Sequence, residues 1–161
     1  MRIPPKLARM NRAMYALRST RVTIRASSLP PPLLTYDPKR ETWTLEETYV
    51  VVDGPTRITI AAPFEFDLAT VPRIFWPLIA PFELSIVAPL AHDFLYINKG
   101  EPPPPAIVPP RTYTRADADA LFRRLMRAEG IPAWRRVLAY YAVRLFGAPS
   151  WGTAIGVRPP R

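Results

Sequence analysis

The stretch TWTLEETYVVVDGPTRITIAA, Thr42 to Ala62, decides how the chain folds. Its first part, Thr42 to Val52, alternates and is rich in β-branched and aromatic residues, and Thr56 to Ala62 alternates again through Ile58 and Ile60. Asp53-Gly54 between them is a tight-turn signal, since glycine readily takes the positive φ that a two-residue hairpin loop requires. A β-hairpin is the expectation, with Pro63-Phe64-Glu65-Phe66 as a further extended stretch. A two-stranded ribbon is marginal alone, so it must pack on helices.

Those helices are legible downstream. Pro89 fits the first turn of a helix over Leu90 to about Asn98, where its missing N–H costs nothing. Thr114 is a good N-cap with Asp117 three residues on, an Asp variant of the capping box, and it starts a helix that Gly130 can end. The apolar stripe of that helix is Leu121, Phe122, Leu125 and Met126. A third helix should run from Pro132 to near Gly147, with Trp134, Val137, Leu138, Tyr141 and Leu145 as its buried face. The expected fold class is a small α+β domain over residues 41–150, a β-hairpin or antiparallel sheet packed on about three helices.

Upstream, residues 1–40 read as a basic amphipathic arm and a Pro-rich linker. Leu7, Met10, Met14 and Leu17 recur at helical spacing, with Lys6, Arg9 and Arg12 off the stripe. The segment lacks the continuous apolar core of a secretory signal, and no run of apolar residues is long enough to span a membrane. Prolines cluster at Pro30 to Pro32, Pro102 to Pro105, Pro109 to Pro110 and Pro159 to Pro160, which predicts extended connectors because proline cannot donate to a ladder. Residues 151–161 read as a tail.

Composition removes several chemistries. The 161 residues are 48% apolar, enough to bury one core. They contain no cysteine, which excludes disulfides, thiolate metal sites and thiol nucleophiles. A single histidine, His92, excludes zinc motifs built on two or three imidazoles. The net charge of +9 is unevenly spread: residues 1–28 carry seven Lys or Arg and no acid, residues 41–110 three basic and nine acidic residues, and residues 111–161 ten basic and three acidic. The basic ends suit an anionic polymer, nucleic acid or an acidic partner, or they are simply solvated.

Three segments place ionisable residues among apolar neighbours: Asp67-Leu68-Ala69-Thr70-Val71-Pro72-Arg73, His92-Asp93-Phe94-Leu95-Tyr96, and Arg115 with Asp119 and Phe122. On a helix His92 and Tyr96 share a face while Asp93 sits about 100° round. An Asp is almost never fully buried without a partner, so Asp67 and Asp93, if inward, need Arg73, an N–H group or a cation. The structural alternative is that Asp67 caps a turn locked by Arg73, that Asp117 is a cap, and that Asp119 is drawn to a helix N-terminus by its dipole.

In these three segments the chain resembles the DUF1353 family of uncharacterised phage and prophage proteins, over roughly residues 43 to 150. The family pattern is Gly-Phe-x-Thr-Asp-x-Ala-Ser-x-Pro-Arg, then His-Asp-x-Leu-Tyr, then Arg-x-x-x-Asp-x-x-Phe opening a helix. Here Pro63 replaces the glycine and Phe66 the threonine, while Thr70 keeps a hydroxyl at the serine position. The resemblance implies a phage context and brings no established reaction. His-Asp-x-x-Tyr is also similar to the catalytic helix of secreted phospholipases A2, in which the Asp holds calcium, the His activates water and a distant Asp orients the His. Those enzymes are disulfide-dense with a Gly-rich calcium loop, so only the arrangement is shared, with Asp119 as the orienting group for His92.

Two functions follow as expectations. One is a metal-assisted hydrolase of cell-wall amide or ester bonds: Asp67 and Asp93 hold a divalent cation (Ca²⁺, Mg²⁺ or Zn²⁺), His92 with Asp119 moves the proton, and Arg73 or Tyr96 stabilises developing charge. The other is a non-enzymatic virion or assembly protein whose N-terminal arm and Pro-rich segments bind other phage proteins, in the host cytoplasm or the particle. Nucleic-acid binding through the basic ends is a third reading.

Overall fold

The computed structural model describes residues 29–40, 42–66 and 86–152. The expected N-terminal helix, the segment carrying Asp67 and Arg73, and the end of the chain from residue 153 lie outside the described residues.

The fold is α+β. Among the described residues, six strands form two three-stranded antiparallel sheets: β1 (Leu34–Asp37), β2 (Thr42–Leu45) and β5 (Phe64–Phe66) in the order β1-β2-β5, and β3 (Tyr49–Asp53), β4 (Thr56–Ile60) and β6 (Ile107–Val108) in the order β3-β4-β6. The hairpin forms between β3 and β4, with Asp53 opposite Thr56 and Val51 opposite Ile58. Gly54 takes φ +60° in its turn. The expected single strand from Thr42 to Val52 is in fact two strands in different sheets. Glu46, Glu47 and Thr48 interrupt the alternation with three consecutive exposed polar residues. The proline-flanked segments supply β1 and β6, both at sheet edges, where a neighbouring residue that cannot donate does least harm.

Three helices follow: α1 (Val87–Ile97), α2 (Arg115–Ala128) and α3 (Ala133–Phe146), then a short 3₁₀ turn at Ala148–Ser150. Helix α1 starts three residues before the expected Leu90 and is buried from Val87 through Tyr96, as a helix apolar on all sides must be. The capping box at α2 is made: the Asp117 backbone N–H donates to Thr114 Oγ1 at 3.2 Å, and the Thr114 N–H donates to Asp117 Oδ2 at 3.0 Å. Gly130 ends that helix with φ +79°. Leu121, Phe122, Leu125 and Met126 point inward as read from the sequence.

Helix α3 has the expected span and the opposite orientation. Trp134, Tyr141 and Leu145 are 57%, 57% and 70% exposed, Val137 is also exposed, and Leu138 is only half-buried. The buried residues are Ala139, Ala142 and Val143. The helix carries two apolar faces, and the one with small side chains is the one that packs against α2, since small residues let two backbones approach. One core joins the layers: Leu45, Ile58, Ile60 and Phe66 from the sheets meet Leu90, Ala91 and Leu95 of α1 and Leu121 and Met126 of α2.

Candidate functional site

A helix buried on every side is a costly place for ionisable groups, yet α1 carries His92 and Asp93 there, 2% and 6% exposed. The cost is met from the facing helices. Asp119 of α2, wholly buried, lies with Oδ1 2.9 Å from His92 Nε2 and accepts the Tyr96 hydroxyl on the same oxygen at 2.6 Å. Its other oxygen accepts from Arg144 Nη1 of α3 at 2.9 Å, with Arg115 Nη1 3.7 Å away. Arg115 is turned toward α3, where it donates to the carbonyls of Val143 and Arg144. One carboxylate therefore ties all three helices together.

The spacing explains the convergence. His92 and Tyr96, one turn apart, present both side chains to the same partner, and their rings lie 4.0 Å apart. Phe122, one turn beyond Asp119, covers the other side of the imidazole at 4.9 Å between ring centres. Asp93, round the helix, faces the second ring nitrogen: its Oδ1 is 3.6 Å from His92 Nδ1. The imidazole is thus held between two carboxylates.

Electrostatics follow the geometry. Burial alone would push His92 down, but the hydrogen bonds and charges of Asp119 and Asp93 outweigh it and hold the imidazole above its ordinary value. Burial would likewise raise Asp119, yet the bonds it accepts from His92, Tyr96 and Arg144 keep it below the usual carboxylate range. The Tyr96 hydroxyl is pushed well up, first by burial and then by Asp119. Both shifts favour the charged forms of the His92–Asp119 pair relative to the same groups in water, and the Tyr96 hydroxyl donates to Asp119.

Of the residues singled out in the sequence, His92, Asp93, Tyr96 and Asp119 come together. Tyr96 is a positioning group here, because its hydroxyl is spent on Asp119. Asp67 and Arg73 lie outside the described residues, and among the described residues no group of three or more metal-ligating side chains is assembled. Sequence reasoning missed Arg144, whose only signal was a charge in an otherwise apolar last turn of α3, and Gly147. A Cβ at Gly147 would stand 2.8 Å from the Tyr96 hydroxyl, so the site needs that position empty.

Asp53, at the hairpin turn, was read only as a turn residue. It is a further buried carboxylate, accepting from Tyr113 Oη at 3.0 Å and from Arg124 Nη2 of α2 at 2.6 Å, with Arg111 3.5 Å away. Burial and Asp53 together push the Tyr113 hydroxyl up to about 12. This cluster fastens the β3–β4 hairpin to α2.

An α+β framework with a buried His–Asp pair at the junction of three helices is the class these features define. Residues 43–143 match the family described as "Protein of unknown function (DUF1353)", and the chain belongs to that family. It is also 32% identical over 87 residues to the "Uncharacterized protein y4jT" of Sinorhizobium fredii, covering 53% of this chain and 22% of the relative. No solved structure matches.

Proposed function

We propose that the chain is a small hydrolase in which His92, oriented by Asp119, transfers the proton. The observation that carries this reading is the 2.9 Å contact between His92 Nε2 and Asp119 Oδ1, which fixes the ring and leaves Nδ1 directed to the Asp93 side. A neutral imidazole held this way accepts a proton at Nδ1 from a water or hydroxyl, and the protonated ring returns it to a leaving group. Asp93 with Asp67 would hold a divalent cation, their all-oxygen donor set suiting Mg²⁺ or Ca²⁺, and Zn²⁺ if His92 also ligates. Arg73 would stabilise developing negative charge, since Tyr96 is already committed. Amide or ester bonds of the bacterial cell wall are the substrates to assay first, in keeping with a phage or prophage context.

The test is hydrolysis of cell-wall and phospholipid substrates by the full chain and by His92→Ala. A loss of about 10²-fold or more in a folded variant is expected. Unchanged turnover removes His92 from the chemistry.

A second reading rests on the saturation of Asp119: with its oxygens occupied from the two neighbouring helices, the cluster is complete as a structural lock and needs no ligand. The chain would then be a virion or assembly protein that contacts other phage proteins through its basic arm and proline-rich segments, found in the host cytoplasm or the particle. Cosedimentation with mature particles, together with no hydrolysis by the wild type, favours this reading over the first.

A further inference from the structure

The surface between α2 and α3 forms an open groove of about 330 Å³. Its lining is Ala120, Arg123, Arg124 and Arg127 of α2 with Arg136 and Tyr140 of α3, four guanidinium groups and no carboxylate. Like charges gathered in a concavity repel one another and raise the local concentration of anions.

Three of the four arginines are held by the protein. Arg124 is bound to Asp53 at 2.6 Å, Arg136 donates to the Ile131 carbonyl, and the Arg123 guanidinium lies over the Tyr140 ring at 5.4 Å. Asp53 relieves little of the excess, since it is shared with Tyr113 and Arg111. A surface that merely solvated its arginines would have no need to fix them side by side. Held guanidinium forks lose little freedom on binding, and their paired N–H donors match the oxygens of a phosphate group. Arg123 and Arg127 stand one helical turn apart along α2, a rise of about 6 Å, which suits two neighbouring phosphates better than one.

We propose that this groove is a phosphate-binding site that engages two adjacent phosphate groups, with Arg123 and Arg127 as the principal contacts. The same chemistry is offered by a free polyphosphate ester and by the backbone of a single nucleic-acid strand, and the aromatic face of Tyr140 beside the arginines suits either. The site is independent of the hydrolase reading, because none of its side chains is among those that hydrogen-bond His92 or Asp119.

The experiment uses the full chain and the double variant Arg123→Gln/Arg127→Gln, with His92→Ala as a control. Pyrophosphate is added at constant ionic strength while thermal unfolding is followed, and a labelled oligothymidylate is titrated by fluorescence anisotropy across a salt series. The wild type and His92→Ala should show a saturable rise in Tm with pyrophosphate that the double variant lacks. A strand-binding site shows in addition oligothymidylate affinity that falls at least about tenfold in the double variant, with the slope of log K against log salt reduced by about 1–2. Pyrophosphate protection without strand binding assigns the groove to free phosphate esters. Should the double variant fail to fold, Arg127→Gln alone, in the last turn of α2, carries the comparison with a smaller loss. Equal protection and equal slopes in wild type and variants, or no response to either ligand, overturn the proposal; equal slopes place the binding on the basic chain ends instead.

Discussion

Two of the carboxylates buried among the described residues, Asp119 and Asp53, solve one problem in two ways. Each is an acid folded out of water and partnered by arginine and tyrosine. Asp53 sits at the rim, on a hairpin, and its partners Arg111, Tyr113 and Arg124 are two guanidinium groups and a hydroxyl. Asp119 sits at the centre and adds to the same ingredients an imidazole, which is itself faced by a second carboxylate. Burial and arginine pairing are therefore common to a lock and to a candidate site; the titratable histidine between two acids is what separates them. Fixed charges can only hold, whereas a proton that two oxygens and a ring nitrogen compete for can move.

Breaking each centre in turn sharpens that contrast. Asp119→Asn should cause the largest loss, about 3–5 kcal/mol by chemical denaturation, because it strands His92 in the interior and releases the Arg144 link to α3. The effect should be greatest near neutral pH: Asp119 is depressed in the fold, so its contribution is present above the unfolded carboxylate pKa and is lost as pH falls through the folded value. Gly147→Ala should come next at about 1–3 kcal/mol, since the new methyl group would stand 2.5 Å from the Val143 carbonyl and 2.8 Å from the Tyr96 hydroxyl. It should also reduce hydrolysis, which a purely local packing defect would leave alone. Asp53→Asn should cost about 1–2 kcal/mol and leave hydrolysis unchanged, as it loosens the hairpin from α2 without touching the imidazole.

The smallest effect belongs to Glu129, whose carboxylate accepts from the Val87 and Ala88 backbone N–H groups at the start of α1, both at 3.3 Å. Burial pushes this carboxyl up to about 7 despite those bonds. A raised acid favours the fold in its protonated form, so the contribution is present below the ordinary carboxylate pKa and is lost as pH rises through about 7. Glu129→Gln, which keeps an acceptor and cannot ionise, should flatten the stability profile between about pH 5 and pH 8. A profile as steep as that of the wild type contradicts this account of Glu129.

Much of the architecture was legible because it is local. The hairpin turn, the capping box at Thr114 and the place of Pro89 in the first turn of α1 each follow from residues within a few positions of one another, although α1 begins three residues before the expected Leu90. Two things were not. The alternation from Thr42 to Val52 hid a change of sheet, since period and composition continue on both sides of Glu46-Glu47-Thr48. The orientation of α3 was misread because the largest apolar side chains formed a convincing stripe, while the face that packs is made of Ala139, Ala142 and Val143. Within the site, His92, Tyr96 and Asp119 could be named from spacing and family resemblance. Arg144 could not, because its role depends on how α3 turns, and that was the orientation the stripe concealed.

The central claim is that two carboxylates clamp the imidazole of His92. Because the chain has one histidine, its ring protons give a single NMR titration curve. Measured on the full chain with chelator present, the midpoint should lie above the ordinary value of about 6.5 for histidine. A midpoint below that value, as burial without the clamp would produce, contradicts the account.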